Sequence, residues 1–444
     1  MIHAIQIRLN SLTVAFLLLA LTGLFIMVRP AGAVDVQKVV SPGGIEAWLV
    51  EEHTVPIIAM NFAFLGGSAQ DPSDKSGVAN MVSSLLDEGA DDLDSQAFQR
   101  ALEETQARIR FSAGRDNFYG EVRTLSFQAP ESFVLLKKAI NAPRFDAEPT
   151  ERIRRQVLTG IKRSETDPDS IANKTLFETL FPDHPYGRRS SGTLESVQSL
   201  TRDDLVAFHK SVFTRDTLKI GVVGAISPED LGPLLDRVFG DLPAESGVVA
   251  IPKIVPTTGA RVSPALDVPQ SAIRLALPSI KRADPDYLAA YVMNHILGGG
   301  TFTSRLFSEV REKRGLAYSV YSHMLPLDSA AVFFVGAGSR DETAGQTVDL
   351  ILEQIRRMGE EGPTPEELQK AKDFLTGSYA LRFDTSNKIA GQLLGLQLND
   401  LPAEYINTRN DEIRALTLDD VKAMARRLLE NADPSVVVVG RQAG

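Results

Sequence analysis

The chain has 444 residues, 43% hydrophobic and 23% charged, a balance that suits a globular protein with room for two cores and excludes a disordered or membrane-embedded chain. Its formal net charge of −10 makes nucleic acid a poor partner. The absence of cysteine excludes disulfides, thiolate zinc sites, a cysteine nucleophile and a lipid-modified N-terminal cysteine.

Residues 1–33 have the form of a secretory signal peptide. Arg8 supplies the positive end, Leu12 to Val28 is a mostly apolar run, and Ala31-Gly32-Ala33 has the small-x-small form of a cleavage site. Cleavage would remove Arg8 and Arg29 and no acid, taking the charge from −10 to −12. The alternative is retention as an anchor, because the apolar run approaches spanning length. The reading is a soluble periplasmic protein of a bacterium, away from the membrane once the signal is cleaved.

Ala47-Trp48-Leu49-Val50 and Ile57 to Phe64 alternate as strands. Gly77 to Gly89 follows as a helix, with Asn80, Ser83 and Ser84 at i, i+3 and i+4 on one face. A later helix runs from Glu151 to Lys162; Gly160 lies near its end, and Glu151 reads as a first-turn acid beside the positive helix end. Leu200-Thr201-Arg202-Asp203-Asp204 has the form of an N-cap, and Leu218 to Val223 closes the first half as a Val-rich strand. Gly240 to Pro264 holds a run of Pro and Gly breakers and reads as a linker. The second half repeats the first. Leu158-Thr159-Gly160 returns as Leu375-Thr376-Gly377, Leu200-Thr201 as Leu416-Thr417, and Val222-Val223-Gly224 as Val438-Val439-Gly440. Such a long period means duplicated domains. The expected division is residues 34–240, a linker at 241–264, and residues 265–444.

In the second half, Ser271 to Leu277 and Ala330 to Gly336 read as strands, and Ser435 to Val439 closes the chain. Gly298-Gly299-Gly300 lacks the Lys-Ser/Thr pair of a phosphate loop. From Phe302 to Gly315, Leu306, Val310 and Phe307 make an apolar helical stripe that Gly315 stops. Alternation in the next strand puts Tyr318 and Val320 on one face and Ser319 and Tyr321 on the other. Arg311, from the last helical turn, and Tyr318 can then point to one spot. Plainer alternatives are an Arg311 pair with Glu309 or Glu312 and a half-buried Tyr318. His53, His184, His209, His295 and His323 are too scattered for a metal pair and read as surface or core-satisfied residues.

Gly66-Gly67-Ser68-Ala69-Gln70-Asp71-Pro72 with the Gly77 to Gly89 helix, the turn His184-Pro185-Tyr186-Gly187, and the Arg311…Tyr318 spacing resemble the pitrilysin and mitochondrial processing peptidase family of inverzincin peptidases. The resemblance covers essentially the whole chain after the leader. It implies an α+β fold: two homologous sandwich halves, each a mainly antiparallel sheet covered by helices, forming a clam-shell. Active members of that family carry H-x-x-E-H where this chain has Asn80, Ser83 and Ser84, and a glutamate ligand where it has Gly160. This resemblance therefore implies no metal and no cofactor in this chain, with zinc expected in a homologous H-x-x-E-H partner subunit. Arg311 and Tyr318 match the family's pair that contacts peptide substrate and stabilises the oxyanion across the cleft. Gly298 to Gly300 resembles, in shortened form, the glycine-rich loop of the non-zinc subunit, a hinge or substrate loop; a helix stop explains it as well. The expectation is the non-zinc subunit of a heterodimeric periplasmic zinc metallopeptidase, inactive alone. The alternative is an inert scaffold or peptide-binding core subunit of the same fold.

Overall fold

The computed structural model describes residues 34–441; the leader expected at residues 1–33 lies outside them. The N-terminal strands are β1 Gln37–Val40, β2 Glu46–Glu51, β3 Ile57–Leu65, β4 Arg108–Ala113, β5 Asn117–Leu125 and β6 Leu218–Gly224. They form one sheet in the order β1-β2-β6-β3-β5-β4, antiparallel except for the β2–β6 pair. A second sheet holds β7 Arg261–Val262, β8 Gln270–Pro278, β9 Ala317–Pro326, β10 Ala331–Arg340 and β11 Ser435–Val439, in the order β7-β11-β8-β10-β9. Its one parallel pair is β7–β11. The orders β6-β3-β5-β4 and β11-β8-β10-β9 superpose, and each sheet adds its parallel strand at the same place. The duplication read from three short matches is therefore a duplication of topology, and the two-lobed α+β arrangement is as expected.

Local chemistry explains the helix starts. Thr201 and Thr417 each accept the amide of an aspartate three residues on, while Asp204 and Asp420 accept the threonine amides at 2.7 Å. Both are capping boxes that satisfy amides the first turn leaves free. One expectation needs correction. The Glu151 helix begins earlier, at Ala147, so Glu148 is its first-turn acid and Glu151 instead pairs with Arg154 at 3.0 Å.

One face of each sheet packs on helices of its own half, in clusters centred on Phe62, Phe64 and Phe118, and on Phe333, Val335 and Ile273. The other face takes a helix from the opposite half. Helix Pro168–Leu180 lies on β8 and β11, burying Ala172, Leu176 and Leu180 against Ala276, Val332, Val437 and Val439. Helix Ser386–Leu398 lies on β3 and β6, where Gln397 donates to the Ile220 carbonyl at 2.8 Å. The Pro-rich crossing between the halves is held along its length. Val249 carbonyl accepts from Gln70, Ile254 amide donates to Ser329 carbonyl, and Thr257 amide donates to Leu180 carbonyl. Among the described residues, no helix is long and apolar enough to cross a membrane.

Candidate functional site

Helix Val78–Ser83 opens at Gly77, whose φ of +94° suits glycine. The buried Asp71 carboxylate fastens this opening by accepting from the Gly77 amide at 2.7 Å and the Ala79 amide at 3.1 Å. Burial pushes Asp71 up to about 7, against those hydrogen bonds and the Arg188 charge, which pull it down. The helix delivers Asn80 to the wall of a cavity of about 700 Å³, and Gly160 reaches the same cavity from helix Ala147–Ser164. The degenerate zinc positions do not all face it. Ser83 and Ser84 hydroxyls turn back and donate to the Asn80 carbonyl at 2.9 and 3.0 Å.

These residues do not fit a zinc ion. An amide, two hydroxyls committed to backbone and a glycine supply neither imidazole nor carboxylate. The surrounding charge is also wrong for a cation. Arg115, Lys174, Arg188 and Arg189 line the cavity, and no carboxylate does. Arg188 donates to the Asp71 carbonyl at 2.6 Å, Arg189 to Ser164, and Arg115 lies 3.9 Å from the Phe177 ring centroid. Among the described residues, none groups three His, Cys, Asp or Glu side chains for a metal.

The facing wall is β9. Its register against β10 shifts between Gly338 and Ser339: Gly338 opposes Ser319, but Ser339 opposes Ala317. Tyr318 is the extra residue of a β-bulge. This corrects the expected alternation. Ala317 and Val320 both turn into the core, whereas Tyr318 is 57% exposed. Its ring lies over Gly338, where a Cβ would stand 2.5 Å from it, as the Tyr321 ring lies over Gly336 at 2.6 Å. Gly336, Gly338 and Phe334 share one face of β10, so Tyr318, Tyr321 and His323 form a row on one side. Tyr321 and His323 stack at 6.1 Å, and both line the cavity. Burial, then the Arg274 charge, hold the His323 imidazole below its ordinary pKa.

Arg311 sits in a π-helical turn, Phe307–Glu312, closed by the Lys313 amide on the Ser308 carbonyl at 3.0 Å. Such turns recur at functional sites. The Glu309 alternative fails, because Glu309 is held by Lys313 and Arg314, each at 2.6 Å. Arg311 has no ion pair among the described residues, and its guanidinium lies 4.8 Å from the Phe307 ring centroid. Tyr318 and Arg311 make no hydrogen bond with each other, and neither lines the cavity itself. Gly315 has φ +60° and stops the helix as expected. Gly298 belongs to a second π-helical turn, His295–Gly299, where a Cβ would meet Ser322 at 2.5 Å and Leu306 at 2.8 Å. Gly299 and Gly300 would crowd Asn294 and His295. Close packing thus gives each glycine a steric reason.

Sequence reasoning missed Arg115, Arg188, Arg189, Tyr321 and His323. The adjacent pair Arg188-Arg189, directly after the His184 turn, was the available signal. His184 itself is satisfied, its Nδ1 accepting from the Tyr186 amide at 3.1 Å and its Nε2 lying 2.9 Å from the Pro252 carbonyl.

Residues 48–194 match the family described as insulinase (peptidase family M16), and residues 199–375 match the peptidase M16 inactive domain. The non-peptidase homolog YmxG of Helicobacter pylori is 26% identical over 431 residues, covering 96% of this chain and 98% of that protein. The probable mitochondrial-processing peptidase subunit beta of Schizosaccharomyces pombe is 25% identical over 401 residues, 84% of each. The crystal structure of a peptidase M16 inactive domain from Pseudomonas fluorescens has a TM-score of 0.87 and 30% identity, covering 92% of this chain and 98% of that one.

Proposed function

This chain belongs to the M16 peptidase family, and we propose that within it the protein is the non-zinc subunit of a two-chain periplasmic peptidase. The observation that carries this reading is the pairing of two walls. One has the frame of a zinc helix with no residue able to bind zinc; the strand of the other carries an exposed Tyr318 beside the cavity, preceded by Arg311, which has no ion pair among the described residues. In this reading a homologous H-x-x-E-H subunit performs hydrolysis. Tyr318 donates its phenolic proton in a hydrogen bond to the oxyanion that forms on the scissile carbonyl. The Arg311 fork holds neighbouring peptide carbonyls or a terminal carboxylate. The chain alone supplies neither base nor nucleophile.

The test is reconstitution with the H-x-x-E-H subunit. Tyr318→Phe is expected to lower kcat by about 10²–10³-fold, the cost of one oxyanion donor elsewhere, with subunit pairing intact. Unchanged turnover in an intact pair would favour the second reading, a peptide-binding subunit with no part in chemistry. The cationic cavity favours that second reading to this extent: it suits the carboxylates of a bound peptide whether or not the peptide is cut.

A further inference from the structure

A second cavity, of about 220 Å³, lies wholly within the C-terminal half. Asn173, Lys174 and Phe177 of helix Pro168–Leu180 line the first cavity; Gly391, Gln392 and Gly395, at the same places in helix Ser386–Leu398, line the second. The two helices correspond in the internal duplication, and their chemistry has diverged. Asn173 and Phe177 are replaced by glycines, and at Gly395 a Cβ would meet nothing within 4 Å. The second cavity is lined by three arginines and four tyrosines, with no carboxylate.

Rings hold the arginines in place of acids. Arg282 lies 4.3 Å from the Tyr287 centroid and 4.9 Å from that of Tyr405. Arg409 lies 4.4 Å from Tyr379 and 5.5 Å from Tyr291, and Arg382 donates to the Tyr291 hydroxyl at 3.0 Å. The acids nearest in sequence are engaged elsewhere. Asp284 and Asp286 pair with Arg427, and Asp384 with Lys388. Arg409 is 5% exposed and, among the described residues, donates to neutral groups, the Leu375 carbonyl at 3.2 Å and Asn410 Oδ1 at 2.9 Å. Burial first, then the Arg382 charge, depress its pKa. Tyr405, 8% exposed, has a buried hydroxyl with no hydrogen-bond partner among the described residues.

A buried cation without a counter-charge and a buried hydroxyl without a partner each cost free energy. Cation–π contacts offset part of the first and none of the second. A single group removes both costs: an anion with oxygen acceptors. We propose that this cavity binds a small oxyanion, a carboxylate or phosphate, with Arg382 and Arg409 supplying the charge and Tyr405 a donated hydrogen bond. The site is separate from the cavity of the degenerate zinc helix and does not depend on the partner subunit.

The test is calorimetric titration of the purified chain with inorganic phosphate and, separately, with succinate, at fixed ionic strength. The expected result is one saturable site for at least one probe, and the tighter probe tells phosphate from carboxylate chemistry. Arg382→Gln, at an exposed position, should weaken binding about tenfold or more, the loss of one charge-assisted contact. Tyr405→Phe, which keeps the ring, should weaken it by about threefold or more. Arg356→Gln, exposed on helix Ala344–Glu361 and paired with Glu360, should leave it unchanged. Absence of binding by both probes overturns the proposal. So does binding that Arg382→Gln and Tyr405→Phe both leave intact.

Discussion

Asp71 accepts the amides of Gly77 and Ala79 while buried, and burial lifts it to about 7 from 3.8. Between those values the folded state binds the proton that the unfolded chain has released. Asp71 therefore makes stability fall as pH rises from about 4 to 7, by up to about 1.4 kcal/mol per pH unit for one proton. His209 works in the opposite direction. Burial holds it at about 4 against 6.5, so the unfolded chain binds the extra proton and stability rises with pH across that window. Asp71→Asn removes the first effect alone. Denaturant unfolding from pH 4 to 7 should then show stability rising more steeply, or falling less, than in the parent. Identical slopes would mean that Asp71 titrates as an ordinary surface acid. The absolute offset between the two proteins is not the readout, since an amide in place of the carboxylate leaves one backbone amide facing an N–H group.

At this same scale the site was half legible. The family resemblance marked Asn80, Ser83, Ser84 and Gly160 as empty ligand places; the 3.6-residue period adds only that the first three share a helix face. The arginines were not legible. Arg115 and the Arg188-Arg189 pair come from separate segments, and only tertiary folding gathers them into an acid-free wall.

At the scale of elements, strands and caps followed from local pattern, while the β9 bulge did not. Alternation has no means of announcing an inserted residue, since the shift depends on which β10 residue each β9 residue meets. Glycines on β10 give the bulge its room. A Gly338→Ala methyl would stand 2.5 Å from the Tyr318 ring, which is exposed and free to swing. The expected outcome is a stability change within about 1 kcal/mol, with kcat of the reconstituted pair reduced as Tyr318 leaves its place. Full activity in that variant would argue against a positioned Tyr318. Gly221→Ala is a contrast. Its Cβ would press on the Ala390 carbonyl at 2.6 Å and on Leu393 at 2.9 Å, backbone and core of the helix crossing β6. Overpacking there should cost about 1–3 kcal/mol, measured as a lowered midpoint in denaturant.

The whole molecule is knit by exchange. Each sheet lends one face to a helix encoded in the opposite half, Pro168–Leu180 on β8 and β11 and Ser386–Leu398 on β3 and β6. The sequence analysis singled out neither helix, and local pattern carries no information on which of two similar sheets a helix will cover. Residues 34–240 expressed alone would expose the β3 and β6 face and leave Ala172, Leu176 and Leu180 uncovered. That fragment should aggregate, and co-expression with residues 241–444 should return it to solution as a complex of full-chain size by size-exclusion chromatography. A soluble, cooperatively unfolding monomer would contradict this.

The interlocked helices also limit how the molecule can move. Prising its two lobes apart like a jaw would strip Leu176 and Leu180 from Val437 and drag Gln397 off the Ile220 carbonyl, tearing the seam in two places at once. In the proposed pair, the opening that admits a peptide would then lie between the two subunits, with this one moving as an undivided block.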